Sequence, residues 1–188
     1  MSGLLLHIDN AKYEEYKMTE IKKCGLSQLK ILQDLCKTTF KETFASGNTE
    51  EDMEKHLDTA YSYDKLSRQL ESPDSVTYIA YCDGVPSGYV QLNKGEMQTE
   101  KGYDGSLEIQ RIYVLQAAKG KGIGSQFMEI AVQTEKEWDL DYIWLGVWEY
   151  NNAAIGFYKS KGFEEFSEHI FVVGNDRQRD ILMKKSIK

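Results

Sequence analysis

Residues 107–138, LEIQRIYVLQAAKGKGIGSQFMEIAVQTEKEW, decide the fold of this chain. The stretch opens with a run at 107–114 in which apolar and polar residues alternate, and it continues through a glycine-rich turn at 119–124. Mostly apolar residues then recur three and four positions apart, as on one face of a helix; they are Ile123, Phe127, Ile130, Ala131, Thr134 and Trp138. The pattern therefore predicts a strand, a tight turn and a helix in succession.

A glycine-rich turn ahead of a helix is suited to binding an anion. The backbone N–H groups of a first helical turn have no partner within the helix, and the helix dipole places partial positive charge there. Glycines let the main chain approach a ligand closely, and Lys119 and Lys121 add positive charge. A phosphate or pyrophosphate is the expected ligand, although a plain turn that needs glycine for its dihedral angles would look the same.

The spacing of the glycines excludes two common phosphate-binding motifs. The chain has no G-x-x-x-x-G-K-[ST] string, and the dinucleotide fingerprint G-x-G-x-x-G fails because Ser125 stands in its third glycine position. The string that remains is x-x-G-x-G, with Gly122 and Gly124 as its glycines. It resembles the acetyl-CoA signature of the GNAT N-acetyltransferases, in which Gln or Arg usually stands where this chain has Lys119.

A second and longer string carries the same resemblance. Residues 151–163, NNAAIGFYKSKGF, look like a spaced string of the GNAT enzymes. Asn151 and Ala154 take its first positions, Phe157 and Tyr158 form its aromatic pair, and Gly162 with Phe163 ends it. Both motifs lie between residues 107 and 163 in the family's order, so the chain is identified as a member of this family.

The segments before residue 107 predict a strand, two or three helices and a hairpin. Ser27 and Thr49 are candidate caps of the first two helices, and Ser46-Gly47-Asn48 separates these helices. A third helical piece is predicted around Leu66. The signal Asp83-Gly84 predicts a hairpin turn between two strands of alternating polarity.

The segments after residue 138 complete the predicted order. Residues 142–148, YIWLGVW, are nearly all apolar, as in a central strand that is covered on both faces. Asn151 is expected to cap the next helix and Gly162 to end it, and a last hairpin is predicted around 174–176. The order β-α-α-β-β-β-α-β-α-β-β resembles the GNAT fold, an α/β (α+β) architecture with a mixed, mostly antiparallel central sheet and helices on both faces.

Composition and charge point to one soluble domain with a cationic substrate. The 188 residues carry 23 basic and 30 acidic side chains, a formal net charge of −7. An acidic chain is a poor nucleic-acid binder, because non-specific affinity comes from Lys and Arg on phosphates. Residues 1–17 predict neither a signal peptide nor a membrane span. We interpret them as an N-terminal extension to a single N-acetyltransferase domain at 18–188.

Cysteine and histidine usage predicts no metal site. Cys24, Cys36 and Cys82 are an odd number without metal-binding spacing, which is typical of reduced thiols in the cytoplasm. The three histidines, His7, His56 and His169, lie far apart in sequence.

The family resemblance implies how acetyl-CoA, the cosubstrate, is held. A bulge near the end of the strand before the glycine turn is expected to free the backbone N–H of Val114 for the reacting carbonyl oxygen. The full set of expected acetyl-CoA contacts is Ile112, Tyr113, Val114, Lys119, Gly120, Lys121, Gly122, Ile123, Gly124, Ser125, Asn151, Ala154, Phe157, Tyr158 and Lys161.

Catalysis requires a base and an acid. An ammonium has no lone pair, so the acceptor must lose a proton before it attacks the thioester. Tyr158 occupies the family's proton-donor position and is expected to protonate the leaving thiolate, although an isolated tyrosine on a helix would more readily be a core residue. Glu108 is the first candidate for the base or for binding a distant ammonium, and Glu149 is the second. The structural alternative for Glu108 is an ion pair with Arg111 or a lysine.

Strict alternation along the strand assigns its side chains to two faces. It predicts Glu108, Gln110 and Ile112 on one face, and it predicts the opposite face for a second set, namely Ile109, Arg111 and Tyr113.

A closer resemblance covers the chain from about residue 18. Strings such as 39–44 (TFKETF), 143–149 (IWLGVWE) and 180–183 (DILM) look like bacterial spermidine/spermine N-acetyltransferases, also named protease synthase and sporulation negative regulatory proteins. This resemblance implies acetyl transfer to a primary amine, foremost a polyamine, by direct attack on the thioester. Other amines (amino acids, aminoglycosides or protein N-termini) and a non-catalytic acyl-CoA-binding regulatory module stay open. The family also implies a homodimer formed through exposed strand edges.

Overall fold

A seven-stranded sheet forms the centre of the molecule. The computed structural model describes residues 19–44, 50–173 and 176–187. The strands are β1 (Thr19–Lys23), β2 (Ser75–Cys82), β3 (Val85–Asn93), β4 (Ser106–Val114), β5 (Tyr142–Trp148), β6 (Glu164–Val173) and β7 (Asp176–Ser186). They lie in the order β1-β2-β3-β4-β5-β7-β6, and β4 with β5 is the parallel pair among antiparallel neighbours. The predicted mixed, mostly antiparallel sheet is confirmed.

Helices cover both faces of this sheet, as predicted. They are α1 (Leu29–Phe44), α2 (Glu50–Ala60), α3 (Tyr63–Glu71), α4 (Ile123–Glu137) and α5 (Asn152–Ser160). One core joins α1, α2 and α3 to the sheet through side chains such as Leu32, Leu57 and Leu66. A second core on the opposite face joins α4 and α5 to the sheet, with Phe127 and Tyr158 among its members. No helix of the described residues is long and apolar enough to cross a membrane.

The start of α1 differs from the prediction. A 3-10 turn, Leu26–Gln28, runs directly into α1, and Gly25 precedes it in an extended conformation. The Gly25 N–H donates to the Gln28 side chain at 2.8 Å. Ser27 therefore lies inside the turn, and the prediction that it caps the helix was wrong. The predicted cap at Thr49, the break at 46–48 and the turn residues Gly174-Asn175 lie outside the described residues.

A bulge in β4 reverses the predicted facing of its second half. Arg111 lies opposite Gln91 of β3, but Ile109 lies opposite the next residue, Leu92, so Gln110 is an extra residue in β4. One extra residue moves every later side chain to the other face.

The packing shows the consequence of this bulge. Tyr113 packs in the core under α1–α3, whereas Ile112 and Val114 pack in the core under α4 and α5 with Ile109. Strict alternation was therefore wrong beyond residue 110. The strand does carry a bulge, at Gln110, four residues before Val114, whose N–H the bulge was expected to free.

The parallel strands β4 and β5 separate soon after they begin. Their register joins Ser106 to Tyr142 and ends with Glu108 opposite Trp144. The rest of β4 continues to pair with β3, and the rest of β5 continues to pair with β7. The sheet is therefore closed at the start of β4 and open at its end, and this opening positions the candidate site.

Candidate active site

A cleft of about 770 Å³ lies where β4 and β5 have separated. The second half of β4, the end of β5, the glycine turn and α5 line this interstrand cleft, and Glu42, Thr43 and Asp180 complete its wall. The cleft thus has one side near the first turn of α4 and another near the end of α1.

The glycine turn presents free backbone donors to the cleft. Gly122 caps α4 in the left-handed region, with φ of 78°, and Gly120 has φ of 79°. The first bond inside α4 runs from the Gln126 N–H to the Gly122 carbonyl at 3.1 Å. The three preceding N–H groups therefore have no acceptor within the helix. They belong to residues that line the cleft, and α4 has no acidic residue in its first turn, so this end fits a pyrophosphate.

Gly124 allows α4 and α5 to approach each other closely. A Cβ atom at this position would lie 3.3 Å from Cζ of Phe157 on α5, which is tighter than an ordinary contact. Gly124 and Phe157 both line the interstrand cleft. A larger residue at 124 would therefore displace the wall of the cleft.

The outer backbone of β4 faces the gap. The Leu115 N–H donates to the Ser87 carbonyl at 2.9 Å, and the adjacent pair is Val114 opposite Gly88. Bonded and non-bonded pairs alternate in an antiparallel ladder, so the Val114 N–H points away from β3 and toward the gap left by β5. Val114 therefore offers the donor that the sequence predicted, although strand separation exposes it rather than a bulge at that residue.

Tyr158 lies on α5 inside the cleft wall. The Asn151 side chain accepts the Ala154 N–H at 3.2 Å and fixes the start of α5. Gly162, with φ of 84°, ends the helix, and the Phe163 N–H donates to the Tyr158 carbonyl at 3.1 Å, as in a Schellman motif. Tyr158 is 7% exposed, and burial raises the pKa of its hydroxyl. The side chain thus stays protonated at neutral pH and can donate a proton.

Glu108 lies at the closed end of the β4–β5 pair. It is 3% exposed. Its carboxylate accepts the Thr99 N–H at 3.0 Å and the Thr99 hydroxyl, and the Asn93 amide lies at 3.4 Å. Burial raises the pKa of Glu108, and the bonds from Thr99 oppose this shift. The structural alternative for Glu108, an ion pair with Arg111 or a lysine, is not found among the described residues, and neutral donors hold the carboxylate instead. Among the described residues, those that line the cleft do not include Glu108.

Glu149 follows β5 and pairs with Arg179 of β7. The Arg179 guanidinium lies 3.0 Å from the Glu149 carboxylate and 2.9 Å from that of Glu168. In the described part of the chain, Glu149 is also not among the cleft-lining side chains. The structure therefore brings neither predicted carboxylate to the cleft.

Most of the predicted acetyl-CoA contacts do line the interstrand cleft. The exceptions, judged on the described residues, are Lys121 and Lys161. Lys121 is exposed on the turn. The Lys161 ammonium lies 5.7 Å from the centre of the Phe157 ring, and Lys161 lines a separate groove of about 390 Å³ between α4 and β7.

Several cleft residues were missed by the sequence analysis. Asp180 begins the apolar part of β7, and Glu42 lies near the end of α1; both carboxylates line the cleft beside Trp148 and Tyr150. The strings 39–44 and 180–183 were noted as family-like, but no pattern in them marked an acidic residue as part of a site. The sequence signal for Asp180 was limited to its position directly before the apolar run at 181–183.

Comparison with known proteins identifies the family. Residues 34–163 match the Acetyltransferase (GNAT) family. The chain belongs to this family. An uncharacterised N-acetyltransferase from the pepI 3′ region of Lactobacillus delbrueckii subsp. lactis is 38% identical over 172 residues, which cover 90% of this chain and 99% of the relative. This GNAT protein is therefore an N-acetyltransferase.

Solved GNAT structures share the fold. The PaiA N-acetyltransferase from Thermoplasma acidophilum, in complex with coenzyme A, has a TM-score of 0.74 and 22% identity, covering 90% of this chain and 99% of that one. A ribosomal-protein-alanine N-acetyltransferase from Brucella melitensis has a TM-score of 0.63 and 22% identity, covering 89% and 99%. Acetyl-CoA is the cosubstrate of the family, and the free donors of the turn and of Val114 fit its pyrophosphate and thioester carbonyl.

Proposed function

We propose that this GNAT enzyme acetylates a primary amine that carries more than one positive charge, and that a polyamine such as spermidine or spermine is the preferred acceptor. The observation that carries this proposal is the pair of carboxylates, Glu42 and Asp180, in the cleft wall. Glu42 is exposed and Asp180 is mostly buried. Opposite charges attract, and more strongly where water is partly excluded as at Asp180, so these groups favour a polycationic acceptor over a neutral or anionic one.

Arg111 lines the same wall, and the partners that bind its guanidinium lie on the core side. Its guanidinium donates to the Gln91 side chain at 2.8 Å and to the Gln69 side chain at 3.3 Å. It also lies 4.9 Å from the centre of the Tyr61 ring. Arg111 is thus held toward the core under α1–α3, where neutral oxygens and the π-electrons of Tyr61 stabilise its positive charge without cancelling it.

Tyr158 supplies the acid in this proposal, and Val114 supplies the oxyanion donor. The amine nitrogen attacks the thioester carbon, and negative charge develops on the carbonyl oxygen near the Val114 N–H. When the carbon–sulfur bond breaks, the Tyr158 hydroxyl gives its proton to the sulfur of coenzyme A.

The test is release of the CoA thiol with a panel of amines. Saturable turnover with spermidine and spermine, and weak turnover with amino acids, an aminoglycoside and an N-terminal peptide, is the expected result. Turnover with one of the other amines alone would reject the polyamine and keep the acetyltransferase. Acetyl-CoA binding without turnover on any amine would instead support the non-catalytic module.

A Gln substitution at Glu42 tests the effect of its negative charge on the acceptor while keeping its hydrogen bond to the main chain. The Glu42 carboxylate also accepts the Gln116 N–H at 2.8 Å, and Gln at this position keeps an acceptor for that bond. We expect Glu42→Gln to raise KM for spermidine about 3- to 10-fold, as for the loss of one partly exposed ion pair, and to leave KM for a monoamine unchanged. Glu51→Gln, an exposed change on α2, is the matched control. Equal KM changes for both amines would contradict a role in charge recognition.

The predicted homodimer and the predicted cytoplasmic location stay predictions.

The three cysteines, Cys24, Cys36 and Cys82, are buried and form no disulfide bond in the structure.

A further inference from the structure

We propose that Asp180 is the catalytic base that takes the proton from the acceptor ammonium, and that His169 is a positioning residue that holds Asp180 and passes the proton toward the surface. This inference rests on the proposed function. It assigns the step for which the sequence offered Glu108 and Glu149.

Asp180 lies beside a glycine of β5 at the edge of the cleft. Asp180 pairs with Trp148 at the end of β5. A Cβ atom at Gly146 would lie 3.5 Å from the Asp180 Oδ2 atom and 3.5 Å from the His169 ring. These distances are ordinary contacts, so the Asp180 carboxylate and the His169 ring both pack beside Gly146, and Asp180 also lines the interstrand cleft.

One oxygen of Asp180 has no donor within the described residues. The side chain is 14% exposed, and its Oδ1 atom is buried without a hydrogen-bond partner in that part of the chain. Buried acceptors are almost always paired in folded proteins. The Asp180 carboxylate thus keeps an unused acceptor, and we assign the acceptor ammonium, which would approach from the cleft that Asp180 lines, as its donor.

The second oxygen of Asp180 faces a histidine. The His169 Nε2 atom lies 3.8 Å from Asp180 Oδ2, and its Nδ1 atom lies 3.3 Å from the Glu100 carboxylate. Glu100 is 36% exposed at its side chain. The three groups follow one another from the cleft toward solvent. Neither separation is a direct hydrogen bond in the described structure, and we assign the proton path to this series of groups.

The charges around Asp180 suit a base. Burial raises the pKa of Asp180, and His169 opposes this shift. Tyr113 faces Asp180 from β4, and the pKa of its hydroxyl is raised by burial and by the nearby tyrosines and Asp180. The neighbouring Arg179 pairs with Glu149 and Glu168. A carboxylate with a raised pKa is a stronger base than one exposed to water.

The proton balance is complete with these groups. Asp180 takes one proton from the ammonium, and the free amine nitrogen forms a bond to the thioester carbon. The carbon–sulfur bond breaks, and the sulfur receives the Tyr158 proton. The nitrogen then loses its second proton, which restores the Tyr158 hydroxyl, and the first proton leaves Asp180 through His169. The products are the amide, CoA thiol and one proton released to solvent.

Asp180→Asn is the first test, with Glu168→Gln as the matched control. Glu168 lies next to His169 on β6 and is 63% exposed at its side chain, so its replacement changes the net charge equally without altering the cleft. We expect Asp180→Asn to lower kcat about 100-fold or more at neutral pH, as for loss of a general base, with unchanged affinity for acetyl-CoA. Glu168→Gln should keep wild-type kcat.

Two further readouts distinguish a base from a structural carboxylate. A fluorinated primary amine of lower pKa needs less help from a base, so the Asp180→Asn defect should shrink with it. His169→Gln removes a group that lowers the pKa of Asp180, so the acid limb of the kcat/KM profile should move to higher pH. A purely structural role would move neither readout.

The outcomes separate the two proposals. Wild-type turnover that survives in Asp180→Asn, with the same pH profile and the same amine preference, would overturn the role of Asp180 alone. A wild-type enzyme that binds acetyl-CoA but acetylates no amine would overturn the proposed function. Loss of acetyl-CoA binding in a folded Asp180→Asn protein would also reject the base assignment, because a base contacts the acceptor and not the cofactor.

Discussion

The two ends of the β4–β5 pair hold two buried carboxylates in opposite situations. At the closed end, Glu108 accepts bonds from the Thr99 main chain and side chain. At the open end, Asp180 lines the cleft with one oxygen that has no donor among the described residues. Burial raises the pKa of both groups. A raised pKa therefore does not distinguish the two carboxylates, and our proposal for Asp180 rests on its unmet hydrogen bond and its place in the cleft wall.

The difference follows from strand separation. Where the strands pair, as at Glu108 opposite Trp144, the backbone is complete and the polar side chain serves to attach the 94–105 segment to the sheet. Where the strands part, the Val114 N–H and the Asp180 carboxylate point into the gap. The separation of β4 and β5 thus places hydrogen-bond donors and acceptors without partners where a substrate can bind them.

The largest expected effect tests the open end. Tyr158→Phe removes one hydroxyl from the cleft wall, and we expect kcat to fall about 100-fold or more because the leaving thiolate loses its acid. Acetyl-CoA affinity, measured by calorimetry, should stay within about 3-fold, since the pyrophosphate donors on α4 are unchanged. Wild-type turnover in this variant would show that the Tyr158 hydroxyl is not the proton donor to the leaving thiolate.

The sequence predicted the strands, helices and glycine turn that form the site. It did not predict which side chains lie together in the cleft. Periodicity and glycine placement predicted β4, α4 and the Gly162 end of α5, because these patterns reflect local backbone and burial preferences. Both family strings are local as well, so Tyr158 was predicted as a site residue, and it lines the cleft. The chain order of the elements and the helices on both faces were predicted from the same patterns, and that order resembles the family's fold.

The rest depends on long-range geometry. The bulge at Gln110 has no glycine or proline to announce it, yet it places Arg111 and Tyr113 on the face opposite to the predicted one. Asp180 is 34 positions from Gly146 in the chain, but the pairing of β7 with β5 makes them neighbours. A register between distant strands is not encoded in any short string, so the carboxylate that we propose as the base could not be placed in the cleft from sequence.

A second prediction tests the closed end through stability. Glu108→Leu leaves the buried Thr99 N–H without its acceptor, and we expect the free energy of unfolding to fall by about 1–3 kcal/mol. Turnover per folded molecule should stay within about 3-fold of wild type. Chemical denaturation measures the first quantity, and thiol release at a temperature where both proteins are folded measures the second. A 100-fold loss of turnover in the folded variant would support Glu108 as the catalytic base, as the sequence analysis predicted.

The pH dependence of Glu108→Gln sharpens this test. The pKa of Glu108 in the folded protein is raised above its ordinary value of 4.5, so the unfolded chain releases this proton first as pH rises. The protonated group therefore contributes stability below about pH 4.5 that is lost as pH rises through the folded pKa. Gln does not titrate, so the stability of wild type relative to Glu108→Gln should decrease with rising pH. The opposite trend would show that the bonds from Thr99 outweigh burial.

The smallest expected effect concerns Glu149, which lies near the open end but is turned toward Arg179. This ion pair is partly exposed, with side-chain exposures of 23% for Glu149 and 47% for Arg179, and Arg179 retains Glu168 when Glu149 is neutralised. We expect Glu149→Gln to change the free energy of unfolding by less than about 1 kcal/mol and to leave kcat and its pH profile unchanged. A tenfold fall in kcat would mean that Glu149 contributes to catalysis although it pairs with Arg179. Hydrogen-bond partners would then not distinguish catalytic from structural carboxylates at this end of the sheet. An unchanged kcat, beside a large loss in Asp180→Asn, would show that two carboxylates at the same end of the sheet differ because only one faces the cleft within the described structure.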